Sequence, residues 1–173
     1  MTIVEPQWGV YPEHDPAGLQ TPVSGTQGQW VATPPRLGYA PETPLPFHPG
    51  TGKLVKQGEW TVPPFLFVRA GMGTTVLDFQ RAVPAAAVIY IKIAGGMGQI
   101  HFVVPAGWSA DLTTIDPGWG TRKSEVPEQP VPGYPLLYIS GSLAMGTLKI
   151  RYPKRRDLKR LAKQLETEQA QLR

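Results

Sequence analysis

The 173-residue sequence has no cysteine, which excludes disulfides, thiolate zinc sites and cysteine nucleophiles together. It has no apolar run near the roughly 20 residues of a membrane-spanning helix, and its first residues lack the basic-then-apolar order of a signal peptide. A soluble, cytoplasmic chain is expected. Histidine is scarce too: His14 and His48 fall in a Pro-rich stretch, and only His101 falls in a strand-like stretch, on the outward side. With no Asp, Glu or Cys at ligand spacing, His101 reads as plain surface and no metal is expected. The carboxylates Asp78, Asp111 and Asp116 read as strand polarity and turn caps, because nothing in the pattern promises the apolar pocket that acid–base work needs. Ser109 lacks a nucleophile-elbow context. No catalytic residue, cofactor or small-molecule substrate is expected, and the chain is not read as an enzyme.

Proline and glycine are plentiful, at 20 and 19 residues. Residues 1–50 hold ten of the prolines and six of the glycines, with few aliphatics and no periodicity, so burial there cannot offset the entropy of ordering. Residues 1–57 are read as an extended arm or linker. Trp8 and Trp30 are spaced along it as candidate contacts for a partner. Residues 1–50 carry Arg36 against Glu5, Glu13, Asp15 and Glu42, a balance of −3, so the chain's +4 leaves +7 for the rest. Much of that excess sits in KRRDLKRLAK, Lys154 to Lys163.

The stretch AGGMGQIHFVVPAGW, Ala94 to Trp108, pairs a glycine-rich turn with an apolar run. A phosphate cradle needs a helix to follow the turn. Here Ile100 to Val104 alternates like a strand and stops at Pro105, so the turn reads as a corner. The same corner recurs in MGTTVLDF from Met72, MGQIHFVV from Met97 and MGTLKIRY from Met145. Met72 and Met97 are 25 residues apart, Met97 and Met145 48, which places a hidden copy at Trp119-Gly120. A period in the twenties marks a solenoid whose units bury their faces on one another.

The inward columns are Thr75, Leu77 and Phe79; Ile100, Phe102 and Val104; Arg122, Ser124 and Val126; Leu148, Ile150 and Tyr152. Upstream they continue as Leu66 and Val68, Ile91 and Ile93, Thr113 and Ile115, Ile139 and Gly141. Such alternation is that of half-buried strands. The fold class is therefore all-β, a short right-handed β-solenoid of about four rungs over residues 58–152, with its third unit the loosest. Trp108 and Trp119 occupy corners, as structural staples or aromatic contacts. Gly73, Gly98, Gly120 and Gly146 answer the backbone needs of a corner.

The segments GEWTVPPFLFVRAGMGTTVLDF, AGGMGQIHFVVPAGW, DPGWGTRKSEV and PGYPLLYISGSLAMGTLKIRYP resemble the C-terminal repeat domain of LiaF-like, cell wall-active antibiotic response proteins. The similarity is greatest to the actinobacterial form that follows a SHOCT-like helical module. It implies a toast-rack β-solenoid, no known catalysis, and a part in envelope-stress signalling through contacts with membrane proteins. This chain lacks the family's membrane spans and any recognisable helical module.

After Pro153 the pattern turns helical, with Leu158, Leu161, Leu165 and Leu172 on one stripe that is expected to dock away from the cations, and residues 153–173 are read as a basic amphipathic helix. Its cations crowd the N-terminal end, against the macrodipole preference. A partner is the better reason for that order. Lys154, Arg155, Arg156, Lys159, Arg160 and Lys163 are the candidate electrostatic contacts, toward a protein partner, a second copy, an anionic membrane surface or, less favoured, nucleic acid. Two functions follow. One is a non-enzymatic regulatory or sensory accessory peripheral to the cytoplasmic membrane. The other is a structural subunit of an assembly such as a phage particle, located in the virion, with the arm draped over neighbours and the helix oligomerising.

Overall fold

The computed structural model describes residues 36–173; the tryptophans Trp8 and Trp30 lie outside the described residues. In chain order the strands are β1 (Leu45–Phe47), β2 (Lys53–Lys56), β3 (Trp60–Val62), β4 (Phe65–Arg69), β5 (Thr74–Asp78) and β6 (Ala82–Pro84). They continue as β7 (Val88–Ala94), β8 (Gln99–Val103), β9 (Ser109–Asp116), β10 (Thr121–Ser124), β11 (Leu136–Ser142) and β12 (Thr147–Arg151), before the helix α1 (Arg155–Gln171). Every ladder between them is parallel. Sheet A runs β1-β4-β7-β11-β9, sheet B runs β10-β12-β8-β5-β2, and sheet C is the pair β3-β6. The chain visits A, B and C in turn twice and then alternates between A and B. This is an all-β, parallel, solenoid-like fold with one C-terminal helix.

Register makes the inward columns real. In sheet B, Leu54, Thr75, Ile100, Leu148 and Arg122 are neighbours in one row, and Lys56, Leu77, Phe102, Ile150 and Ser124 in the next. In sheet A, Leu45, Leu66, Ile91 and Ile139 form a row, as do Phe47, Val68, Ile93, Gly141 and Ile115. The two inner faces and sheet C share one buried cluster, each large side chain in it worth roughly 1.5–3 kcal/mol of burial. Phe79 stands at its aromatic centre, with ring centroids 5.5 Å from Trp60, 6.0 Å from Phe102 and 5.4 Å from Trp108. Trp108 is thus a core residue, and the contact reading is corrected for it. Trp119, by contrast, is 93 % exposed.

Three further expectations are corrected. The arm assigned to residues 1–57 contains β1 and β2, which pair with β4 and β5; Leu45, Leu54 and Phe47 pack on the core, an alternation that the surrounding prolines conceal. The inward column was expected to pass through Thr113, but Tyr138 pairs with Asp111 and Ser140 with Thr114, so β9 has an extra residue there. At that bulge Leu112 is buried, Thr113 is exposed, and Asp111 Oδ1 accepts from the Thr113 N–H at 2.9 Å. Last, the units do not stack in chain order: β11 and β12 lie between the β7, β8 pair and the β9, β10 pair. The third unit, expected to be the loosest, is at the edge of the sheets, where Arg122 Nη1 donates to the Leu112 carbonyl at 2.8 Å.

The corners confirm a structural reason for glycine. A Cβ on Gly98 would run into the carbonyl oxygens of Gly73 and Ala70. In the Gly96–Gln99 corner every backbone N–H is already donated to a carbonyl, from Gly96 to Leu143, from Met97 and Gly98 to Gly71, and from Gln99 to Gly73. No N–H of this corner is left for a phosphate.

Candidate functional site

The outward residues of sheet B build the most developed surface. Alternation puts Lys53 and Val55 of β2, Thr74, Val76 and Asp78 of β5, His101 and Val103 of β8, and Lys149 and Arg151 of β12 on one face. Register sets Val76, His101 and Lys149 side by side, with Asp78, Val103 and Arg151 in the next row. Across this face lies α1. Val103 is buried although it is outside the core cluster; it and Leu161 line a common cleft of about 280 Å³ between the sheet and the helix.

Two ion-pair groups fasten the helix. Asp157 accepts from Arg151 Nη1 at 2.6 Å and from the Lys154 backbone N–H at 2.8 Å, so one carboxylate both caps the helix and ties it to β12. The Arg151 guanidinium beside it holds the Asp157 carboxyl below its ordinary range. Farther along, Arg81, after β5, donates through both terminal nitrogens to Glu168 at 3.1 Å and also pairs with Glu59. The Asp157 cap explains how a helix starts among so many cations.

The docked stripe is Asp157, Leu161 and Gln164, half-buried, with Glu168 beyond. The leucine stripe expected to dock does not: only Leu161 turns in, while Leu158 and Leu165 are 49 % and 39 % exposed and Leu172 is exposed as well. The reason is the sheet's outward face, which is mostly polar and therefore takes the polar side of the helix. Lys154, Arg155, Arg156, Lys159, Arg160 and Lys163 are all exposed, and of these Arg160 also lines the cleft.

The cleft gathers cations that sequence reasoning treated singly or passed over. Lys53, Arg81, His101, Lys149, Arg151 and Arg160 line it, with Asp78 and Asp157. Both carboxylates are engaged, Asp78 by the Gln80 N–H at 2.9 Å and the Gln80 amide at 2.8 Å. Partial burial pushes the His101 imidazole below its ordinary pKa, helped by the charges of Arg151, Lys149 and Lys53. The available signal was in-register stacking of outward residues, which becomes legible only when the strand neighbours are known. Asp111 and Asp116 lie on β9, away from Asp78, and Asp116 Oδ1 accepts from the Gly118 N–H at 2.9 Å. Ser109 is fully buried. Among the described residues no group of three His, Asp or Glu side chains could hold a metal, and no helix is long and apolar enough to cross a membrane.

A second surface follows the corners. The Met72 N–H donates to Gly50, Met97 to Gly71, Met145 to Gly96 and Trp119 to Ala144, so these four residues stack in one row. All four are exposed, an apolar line at the edge of the molecule.

Comparison with protein-family models, with curated proteins and with solved structures returns no match.

Proposed function

We propose that this chain is a non-enzymatic interaction module, a regulatory or sensory accessory that works at the cytoplasmic face of a membrane in envelope-stress-type signalling. In this reading the parallel sheets are a short right-handed β-solenoid of the toast-rack type, as in LiaF-like proteins, and α1 is its electrostatic contact. The observation that carries it is the surface of α1. None of its residues is buried, and with Lys154 and Leu172 at its two caps it presents six cations beside Leu158 and Leu165, a combination suited to an anionic lipid surface or an acidic protein partner.

The test is a vesicle sedimentation assay with and without phosphatidylserine. Changing Lys154, Arg155, Arg156 and Arg160 together to Gln should abolish binding to anionic vesicles and leave the thermal melt of the sheets nearly unchanged. Binding by the unaltered protein should fall steeply as salt rises, since the Debye length is about 8 Å at 0.15 M. Undiminished binding by the quadruple variant removes the reading.

The exposed row Met72, Met97, Met145 and Trp119 favours a second function, a structural subunit of an assembly such as a phage particle. Exposed contiguous apolar side chains mark contact surfaces, and methionine adapts readily to a partner. Self-association in sedimentation velocity that Trp119→Ser abolishes would select it.

A further inference from the structure

We propose that the cleft between the outward face of sheet B and α1 binds a phosphate monoester, with Lys149, Arg160 and His101 around the phosphate and Lys53 at the far end. This goes beyond the reading of α1 as an exposed contact, because the site is built on the sheet beneath the helix, and of the six exposed cations of the tail Arg160 alone lines it.

The argument starts from which charges are already satisfied. Arg151 is held by Asp157, and Arg81 by Glu168 and Glu59. Asp78 accepts from the Gln80 backbone N–H and side-chain amide, both neutral, so its single negative charge stays in the cleft. Lys53, Lys149 and Arg160 remain, and among the described residues none of them forms an ion pair. They come from three elements, β2, β12 and α1, yet line one cleft of about 280 Å³. Three cations against the one carboxylate of Asp78 leave an excess of positive charge in the cleft; burial first, and then the charges of Arg151, Lys149 and Lys53, lower the proton affinity of His101 within it. An anion relieves that excess.

The class of anion follows from charge and shape. Lys149 and His101 are direct neighbours across β12 and β8, so their side chains project side by side, and Arg160 lines the same cleft from the helix. A carboxylate would neutralise one cation. A phosphate monoester carries about −1.5 to −2 at neutral pH and offers three acceptor oxygens, matching ammonium, guanidinium and imidazole together. Between this group and Lys53 the floor is Val76 and Val55, apolar and open, which suits the organic body of an ester better than free inorganic phosphate. The phosphate could be borne by a small soluble ester or by a lipid headgroup.

The experiment follows the His101 ring signal by NMR during titration with inorganic phosphate and with glycerol 1-phosphate, at constant ionic strength. A saturable shift is expected, tighter for the ester. Lys53→Gln with Lys149→Gln should weaken binding at least tenfold, whereas Lys149→Arg should restore most of it. Arg155→Gln with Arg156→Gln and Lys159→Gln, all on the exposed side, should leave it within twofold. A shift that grows linearly and equally with chloride overturns the proposal, and so does unchanged binding by the Lys53 and Lys149 double variant when its circular dichroism matches that of the unaltered protein. Phosphatidylcholine vesicles with phosphatidic acid distinguish the source. Capture lost in the double variant alone assigns the lipid headgroup, and capture equal in both proteins with saturable glycerol 1-phosphate binding assigns a soluble ester.

Discussion

At Ala144 the backbone takes φ 55°, in the left-handed region, at the corner where its sister units have Gly71 at φ 56° and Gly118 at φ 55°. An L side chain there costs about 1–2 kcal/mol, partly offset by the greater freedom that glycine loses on folding. Ala144→Gly should therefore raise stability by roughly 0.5–1 kcal/mol, read as a higher midpoint in urea denaturation. Gly118→Ala should act oppositely, since its Cβ would also meet the Ala144 carbonyl oxygen at 2.7 Å. A lower midpoint for Ala144→Gly would show that this corner is not strained. The glycines of the repeat were legible as a backbone need. Their division of labour was not, because Gly73, Gly98, Gly120 and Gly146 answer close approach, and the left-handed φ falls two residues before three of them, at Gly71, Gly118 and Ala144.

On the scale of elements, α1 is held to sheet B through few contacts, of which Asp157 is the hinge. Its carboxyl pKa is lowered in the folded chain, so its contribution is fully present above the ordinary carboxylate value of about 3.9 and is lost as pH falls through the lower folded value. Asp157→Asn should bring that loss to neutral pH. Amide exchange in α1 should quicken about tenfold, on the order of 1 kcal/mol, while amides of β7 and β8 keep their protection. Equal acceleration in the sheets would mean that helix and sheets open as one unit. The helix itself, its basic residues and the alternating strands were readable from local pattern. Its orientation was not. The leucine stripe pointed to an apolar dock, and nothing in the order of residues disclosed that Asp157, Leu161 and Gln164 would be chosen by a polar sheet. For the same reason the cleft was invisible: Lys53 and Lys149 are far apart in sequence and meet only through the ladders of β5 and β8.

For the molecule as a whole, the order of strands follows composition rather than chain sequence. A layer with neighbours on both sides needs apolar columns throughout, and β11 with β12 supplies Leu137, Ile139, Leu148 and Ile150, all fully buried. The layer of β9 and β10 brings Arg122 and Ser124, which suit an end where water can reach them. The polar inward residues of this third unit were evident in the sequence, but its displacement past a later unit was not, since periodicity carries no information about spatial neighbours. Pulse-labelled hydrogen exchange during refolding should find β11 and β12 protected no later than β9 and β10, because among the described residues β9 and β10 have only them as ladder partners. Earlier protection of β9 and β10 would contradict this order of assembly. There is a consequence for biosynthesis. The ribosome delivers the end layer before the layer on which it must rest, and at roughly 5–20 residues per second the wait between Ser124 and Arg151 lasts about one to five seconds. Throughout it the nascent chain holds Leu112 and Ile115 uncovered beside the open edges of β7 and β8, an interval in which a chaperone, or a neighbouring nascent copy, can reach them first.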